Sequence, residues 1–122
     1  MNYEAIFSFG IVVLIDNIAI AEMKPEVSID MEEAIELYDF CESYFKGKPY
    51  ALISRRINSY SINPLVHLNL SDQYNIKAFA VITDTKIGNV NACIEKHFFT
   101  KPFEVFKTEE NAIEWVKKIL ES

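Results

Sequence analysis

The sequence predicts an α/β fold: an N-terminal β-hairpin followed by alternating helices and strands, with a mixed, mostly parallel sheet flanked by helices. Three observations predict it. Two apolar runs rich in Phe, Ile and Val, residues 4–15 and Ile18–Met23, are separated only by Asp16-Asn17, which is a hairpin signal. Residues 50–54 and 78–83 are apolar on both faces, as strands covered on two sides must be. Between and after these runs the apolar spacing changes to that of amphipathic helices, and the chain closes with a short strand leading into a capped helix.

Each element has a local reason. Asp16 and Asn17 tolerate positive φ and suit the centre of a type I′ turn, while Gly10 marks a bulge or bend. From Asp30 a helical stripe runs through Met31, Ala34, Ile35, Tyr38, Cys41 and Phe45. Asp30 and Glu33 form a capping-box pair, and Lys46, Gly47 and Pro49 end the helix. Asn63-Pro64 opens a short helix carrying Leu65, Val66 and Leu68. Residues 85–98 carry Ile87, Val90, Ile94 and Phe98 at helical spacing, although Gly88 costs that helix roughly 1 kcal/mol relative to Ala. The strand Phe103–Phe106 leads to Thr108 as N-cap of a last helix with Ala112, Ile113, Val116, Ile119 and Leu120 facing inward. Glu109 and Glu110 at its start and Lys117 and Lys118 near its end complement the helix dipole.

Composition bounds the function. The 122 residues correspond to one domain, and the 50% hydrophobic content with nine Phe supplies one core. Twelve basic against eighteen acidic residues give a net charge of −6, which argues against nucleic acid as a partner, because that affinity comes from neutralising phosphates. Cys41 and Cys93 are far apart in sequence, without CxxC spacing or flanking histidines, so neither a zinc site nor another metal is expected. Both cysteines read as small buried hydrophobes, and reduced thiols imply a cytoplasmic protein. The run of residues 11–15 is too short to span a membrane and lacks a positive segment before it, so no membrane insertion is expected.

Catalytic equipment is not legible. Neither His67 nor His97 has a carboxylate-bearing motif or nucleophile elbow around it. His67 reads as a packed or partly exposed histidine, and His97 as a contact at a helix C-terminus. Three isolated glycines build no phosphate cradle, so no cofactor is expected. Where α/β sheets meet ligands, at the carboxyl ends of the strands, the chain offers Ser54, Arg55 and Arg56 after one central strand. After the next come Thr83, Asp84, Thr85 and Lys86. If the strands are neighbours, these residues share one rim and a helix N-terminus, a place for an anion or acidic partner. Phe40 and Tyr44, four apart, form a second candidate patch for a partner or lipid.

Four segments carry a family resemblance. They are Ile29-Asp30-Met31-Glu32-Glu33-Ala34, Ser61-Ile62-Asn63-Pro64, Lys77-Ala78-Phe79-Ala80-Val81-Ile82-Thr83 and Phe106-Lys107-Thr108-Glu109-Glu110-Asn111-Ala112-Ile113-Glu114-Trp115-Val116. With this order of elements the chain resembles a STAS-type domain of the small bacterial SpoIIAA-like group, and is similar also to CRAL-TRIO lipid-binding folds. The resemblance implies a non-enzymatic binding module. Relatives that antagonise anti-sigma factors carry an Asp-Ser-Ser/Thr-Gly phosphoacceptor motif after the third strand. This chain has Ser54-Arg55-Arg56-Ile57-Asn58-Ser59 there, so a phosphoacceptor role does not transfer to Ser54, Ser59 or Ser61. The expectation is a cytoplasmic regulatory module that binds a protein partner and can form a homodimer through its hairpin edge. Its alternative is a small apolar or acyl ligand held in a groove beneath the aromatic-rich helices.

Overall fold

The computed structural model describes residues 2–58 and 60–122. Three antiparallel strands come first: β1 (Tyr3–Phe7), β2 (Gly10–Ile15) and β3 (Ile18–Met23). The expected single first strand is therefore two, because the chain reverses at Ser8-Phe9 and residues 4–15 fold back on themselves. Gly10 opens β2 rather than forming a bulge. A Cβ there would stand 2.5 Å from the Glu22 carbonyl oxygen, so only glycine lets β2 and β3 approach. At the second turn the positive φ falls on Asp16 (54°) and not on Asn17, so the turn is not type I′.

A parallel half follows. After β4 (Ser28–Ile29), helix α1 (Met31–Tyr44) starts at Asp30, whose side chain caps it while Glu33 Oε1 accepts from the Asp30 amide at 2.8 Å. It ends at Lys46 and Gly47, both at positive φ. The remaining elements are β5 (Tyr50–Arg55), β6 (Ser61–Ile62), α2 (Leu65–Leu70), β7 (Ile76–Ile82), α3 (Lys86–Lys96), β8 (Phe103–Phe106) and α4 (Glu109–Leu120). The large sheet has the order β1-β2-β3-β5-β7-β8, parallel from β3 onward, and β4 and β6 form a separate two-stranded parallel ladder. That ladder was not legible beforehand, since two-residue strands leave no periodic signal.

Helices cover both faces of the sheet. On one, α4 buries Ala112 and Val116 against Ile18, Ile20, Ile53 and Ala80. On the other, α1, α2 and α3 enclose Leu52, Phe79 and Val81. Helix α1 buries Ala34, Leu37, Tyr38 and Cys41, so Leu37 belongs to the stripe and Ile35, partly exposed, does not. Phe40 and Tyr44 are built into a ladder of rings with β1: Tyr44 stacks on Tyr3 at 5.6 Å and Phe40 meets Phe7 edge-on at 5.4 Å. Among the described residues no helix is long and apolar enough to cross a membrane.

Candidate functional site

Helix α3 determines the site by which face it buries. Thr85 caps it, its Oγ1 accepting from the Gly88 amide at 3.0 Å. Gly88, Ala92 and Glu95 lie at i, i+4 and i+7, and this face turns toward the sheet. A Cβ on Gly88 would stand 2.1 Å from Thr83 Oγ1, which explains a glycine that costs helix propensity. The apolar stripe consequently points outward: Ile87 is 71%, Val90 52% and Ile94 46% exposed. The expected burial of Cys93 fails for the same reason, for it too lies on the solvent side.

Beneath this helix lies a polar network that joins residues distant in sequence. Arg56, just past β5, donates from Nη1 and Nη2 to the two oxygens of Glu95 at 2.6 and 2.8 Å, and from Nε to Ser54 Oγ at 2.8 Å. The Ser54 hydroxyl also bonds the Tyr60 hydroxyl at 3.1 Å, and the guanidinium sits 5.4 Å from the Tyr60 ring centre. His67 of α2 places Nε2 at 2.8 Å from Glu95 Oε1, with its ring edge-on to Phe79, Phe99 and Phe103. Glu95 is 2% exposed and His67 1%. Burial opposes ionisation of Glu95, but hydrogen bonds from Arg56 and His67 outweigh it and hold the carboxyl down at about 2.

The expected rim is thus real as an arrangement. Strands β5 and β7 are neighbours, so Ser54, Arg55 and Arg56 stand beside Thr83, Asp84, Thr85 and Lys86 at the carboxyl ends of both. Its arginines are not free, however. Arg56 is matched by Glu95, and Arg55 is held by Glu109 through Nε at 2.9 Å and by Glu22 at 3.2 Å. An anion would have to displace carboxylates already in place, so neither arginine is set up as an anion receptor. Thr83 and Ser54 are buried, while Asp84, Thr85 and Lys86 are exposed. Ser59 lies outside the described residues, and Ser61 is exposed on β6.

Two adjoining hollows flank Arg56. One, of about 280 Å³, runs between Ser61, Ile62 and Pro64 on one wall and Asn91 and Ile94 on the other. The second, of about 240 Å³, continues past Ile57 and Asn58 to Thr85 and Ile87. Arg56, Tyr60 and Asn91 belong to both. By contrast, the apolar cavity under α1 and α2 measures about 30 Å³, room for one water and not for an acyl chain. Among the described residues no three His, Cys, Asp or Glu side chains cluster as metal ligands.

Glu95, Asn91 and Tyr60 were missed in the sequence. The signal for Glu95 was available: a lone carboxylate in register with Gly88 and Ala92, opposite an apolar stripe, is a buried-face pattern. Of the two readings of His67, packed or partly exposed, the structure has the packed one, and its carboxylate partner sits 28 residues away with no local motif. His97 is the C-cap residue of α3, at the helix end where it was expected.

A family described as a domain of unknown function (DUF7793) matches residues 12–120. Among solved structures, the chain is similar to an uncharacterized protein of the DUF3478 family with a SpoIIAA-like fold from Shewanella loihica PV-4. The TM-score is 0.55 with 14% sequence identity, over 94% of this chain and 91% of that one. The fold is accordingly SpoIIAA-like, as the sequence resemblance implied. No curated protein gives a significant sequence match.

Proposed function

The chain belongs to the DUF7793 family, and from that premise we propose that it is a non-enzymatic interaction module that binds another protein through the outward face of α3 and the groove beside it. The observation that carries this is the inverted helix. An amphipathic helix normally turns its apolar stripe to the core, yet α3 presents Ile87, Val90 and Ile94 to solvent, with exposed Ile57 beside them. A contiguous apolar patch of this kind marks a contact surface.

The absence of chemistry in this proposal rests on access. The His67–Glu95 pair has the composition of a catalytic dyad, but His67 is buried under α3 away from both hollows, Glu95 is 2% exposed at the edge of one with both oxygens already bonded to Arg56 and His67, and Ser54, the hydroxyl nearest in the network, is bonded to Arg56 and Tyr60. The pair instead neutralises Arg56 and braces α3 against β5. A regulatory role in a reducing, cytoplasmic setting accords with two unpaired cysteines, one of them exposed.

The test uses a photoreactive phenylalanine analogue at Val90, with the same analogue at exposed Glu114 of α4 as control. A single adduct mass formed in cells from position 90 and absent from position 114 is expected, as is its loss when Ile87→Glu and Ile94→Glu are added. Adducts of equal yield from both positions would remove the proposal.

Self-association has its own support. Ile6, 77% exposed, and Tyr3 lie on β1, an edge strand open to pairing. Light scattering across a concentration series is expected to show a dimer that Ile6→Lys abolishes; a monomer throughout would exclude it.

A further inference from the structure

The groove between β6 and α3 has a strand edge on one side and a carboxamide on the other. Strand β6 pairs β4 through the Ser61 amide to the Val27 carbonyl and the Asn63 amide to the Ile29 carbonyl, each at 2.9 Å. Along a strand the backbone groups of alternate residues point to opposite sides. The amide and carbonyl of Ile62, between those two, therefore point away from β4, and they have no backbone partner among the described residues. Across the groove, Asn91 lines both hollows, and its carboxamide bonds no described residue.

Charge narrows the occupant. A quarter of the residues are charged, twelve basic and eighteen acidic, yet among the described residues the charged side chains lining the two hollows are Arg56 and Glu95 alone, which cancel each other. A groove with no net charge disfavours phosphorylated, nucleotide or strongly acidic ligands, since nothing would offset their desolvation. It complements a neutral chain. An extended peptide has the matching groups: one edge of its backbone meets the Ile62 amide and carbonyl, and the other meets the donor and acceptor of Asn91. Its side chains, which project perpendicular to that hydrogen-bonding direction, would alternate between the groove interior and solvent.

We infer that the partner presents an extended, uncharged segment of a few residues, which adds to the free edge of β6 and is clamped against α3 by Asn91. This rests on the interaction-module reading and specifies its mode.

The experiment is selection of a phage-displayed random dodecamer library against the full chain, followed by synthesis of the enriched sequence. Enriched peptides are expected to share an uncharged core with apolar residues at alternate positions. Titration into ¹⁵N-labelled protein should shift the Ile62 amide most, together with Asn91 and Ile94. Asn91→Ala should weaken binding roughly tenfold, the loss of about one net hydrogen bond. N-methylation of the peptide at the residues facing Ile62 should abolish binding, while methylation of the residues facing Asn91 should weaken it no more than Asn91→Ala does. Peptides that bind as helices on Ile87 and Val90 without perturbing Ile62 would overturn strand addition while leaving the α3 contact face standing. Failure to enrich any sequence over an Asn91→Ala, Ile94→Glu control protein would overturn the inference as well, and the crosslink at Val90 would then decide the broader proposal separately.

Discussion

Arg56 and Glu95 face each other through two hydrogen bonds, 2.6 and 2.8 Å long, and with them α3 is tied to the end of β5. Two charges have been taken out of water to make this contact. Glu95→Ala is expected to destabilise the fold by about 3 kcal/mol or more, because Arg56 is left buried without its counter-charge. Replacing both partners with apolar residues, Arg56→Met with Glu95→Leu, should cost clearly less than Glu95→Ala alone, leaving mainly the unmet Nε2 of His67. Urea denaturation of the three variants checks the order.

Acid should release the same tie. The carboxyl of Glu95 is held near 2 in the folded chain against an ordinary value of 4.5, so the folded form binds its proton less readily. The resulting stabilisation is fully present above about pH 4.5 and is lost as pH falls toward 2. A shift of that size corresponds to about 3 kcal/mol as an order of magnitude. Denaturation midpoints measured between pH 6 and 2 should fall steeply in the parent, and the steepness should shrink in Glu95→Gln.

Gly88→Ala tests how closely α3 approaches the sheet. On an exposed helix this substitution would gain roughly 1 kcal/mol. Here the added methyl meets the buried Thr83 side chain, so a net loss of about 1–3 kcal/mol is expected. Adding Thr83→Ala should recover part of it. A stabilised Gly88→Ala protein would mean that α3 sits farther out than described.

The outward stripe can be tested with one substitution placed twice. Val116→Ala on α4 empties a fully buried site and should cost about 2 kcal/mol. Val90→Ala on α3, at a half-exposed position, should stay within about 0.5 kcal/mol. Equal losses, read by thermal denaturation, would place Val90 in a core.

Much of the architecture was legible because it is written in short-range chemistry. Asp30 with Glu33 and Thr108 marked helix starts through caps that need only neighbours a few residues away, and each caps as expected. The doubly apolar runs of β5 and β7 announced central strands, and their adjacency made the rim of residues 54–56 and 83–86 a correct juxtaposition. Periodicity by itself, however, does not say which way a helix faces. The stripe of α3 had helical spacing, yet burial went to Gly88, Ala92 and Glu95, because only small residues permit the close approach and only Glu95 answers Arg56.

The amino-acid sequence determined by itself where the helices begin, that the sheet is mixed, and that the fold is SpoIIAA-like. Tertiary structure alone decided that both rim arginines are neutralised, that His67 and Glu95 meet, and that β6 leaves an edge beside Asn91. The division follows from range: caps and periods act over one or two turns of chain. An ion pair spanning 39 residues, or the direction a helix faces, depends on how separate elements pack, and no local pattern encodes it.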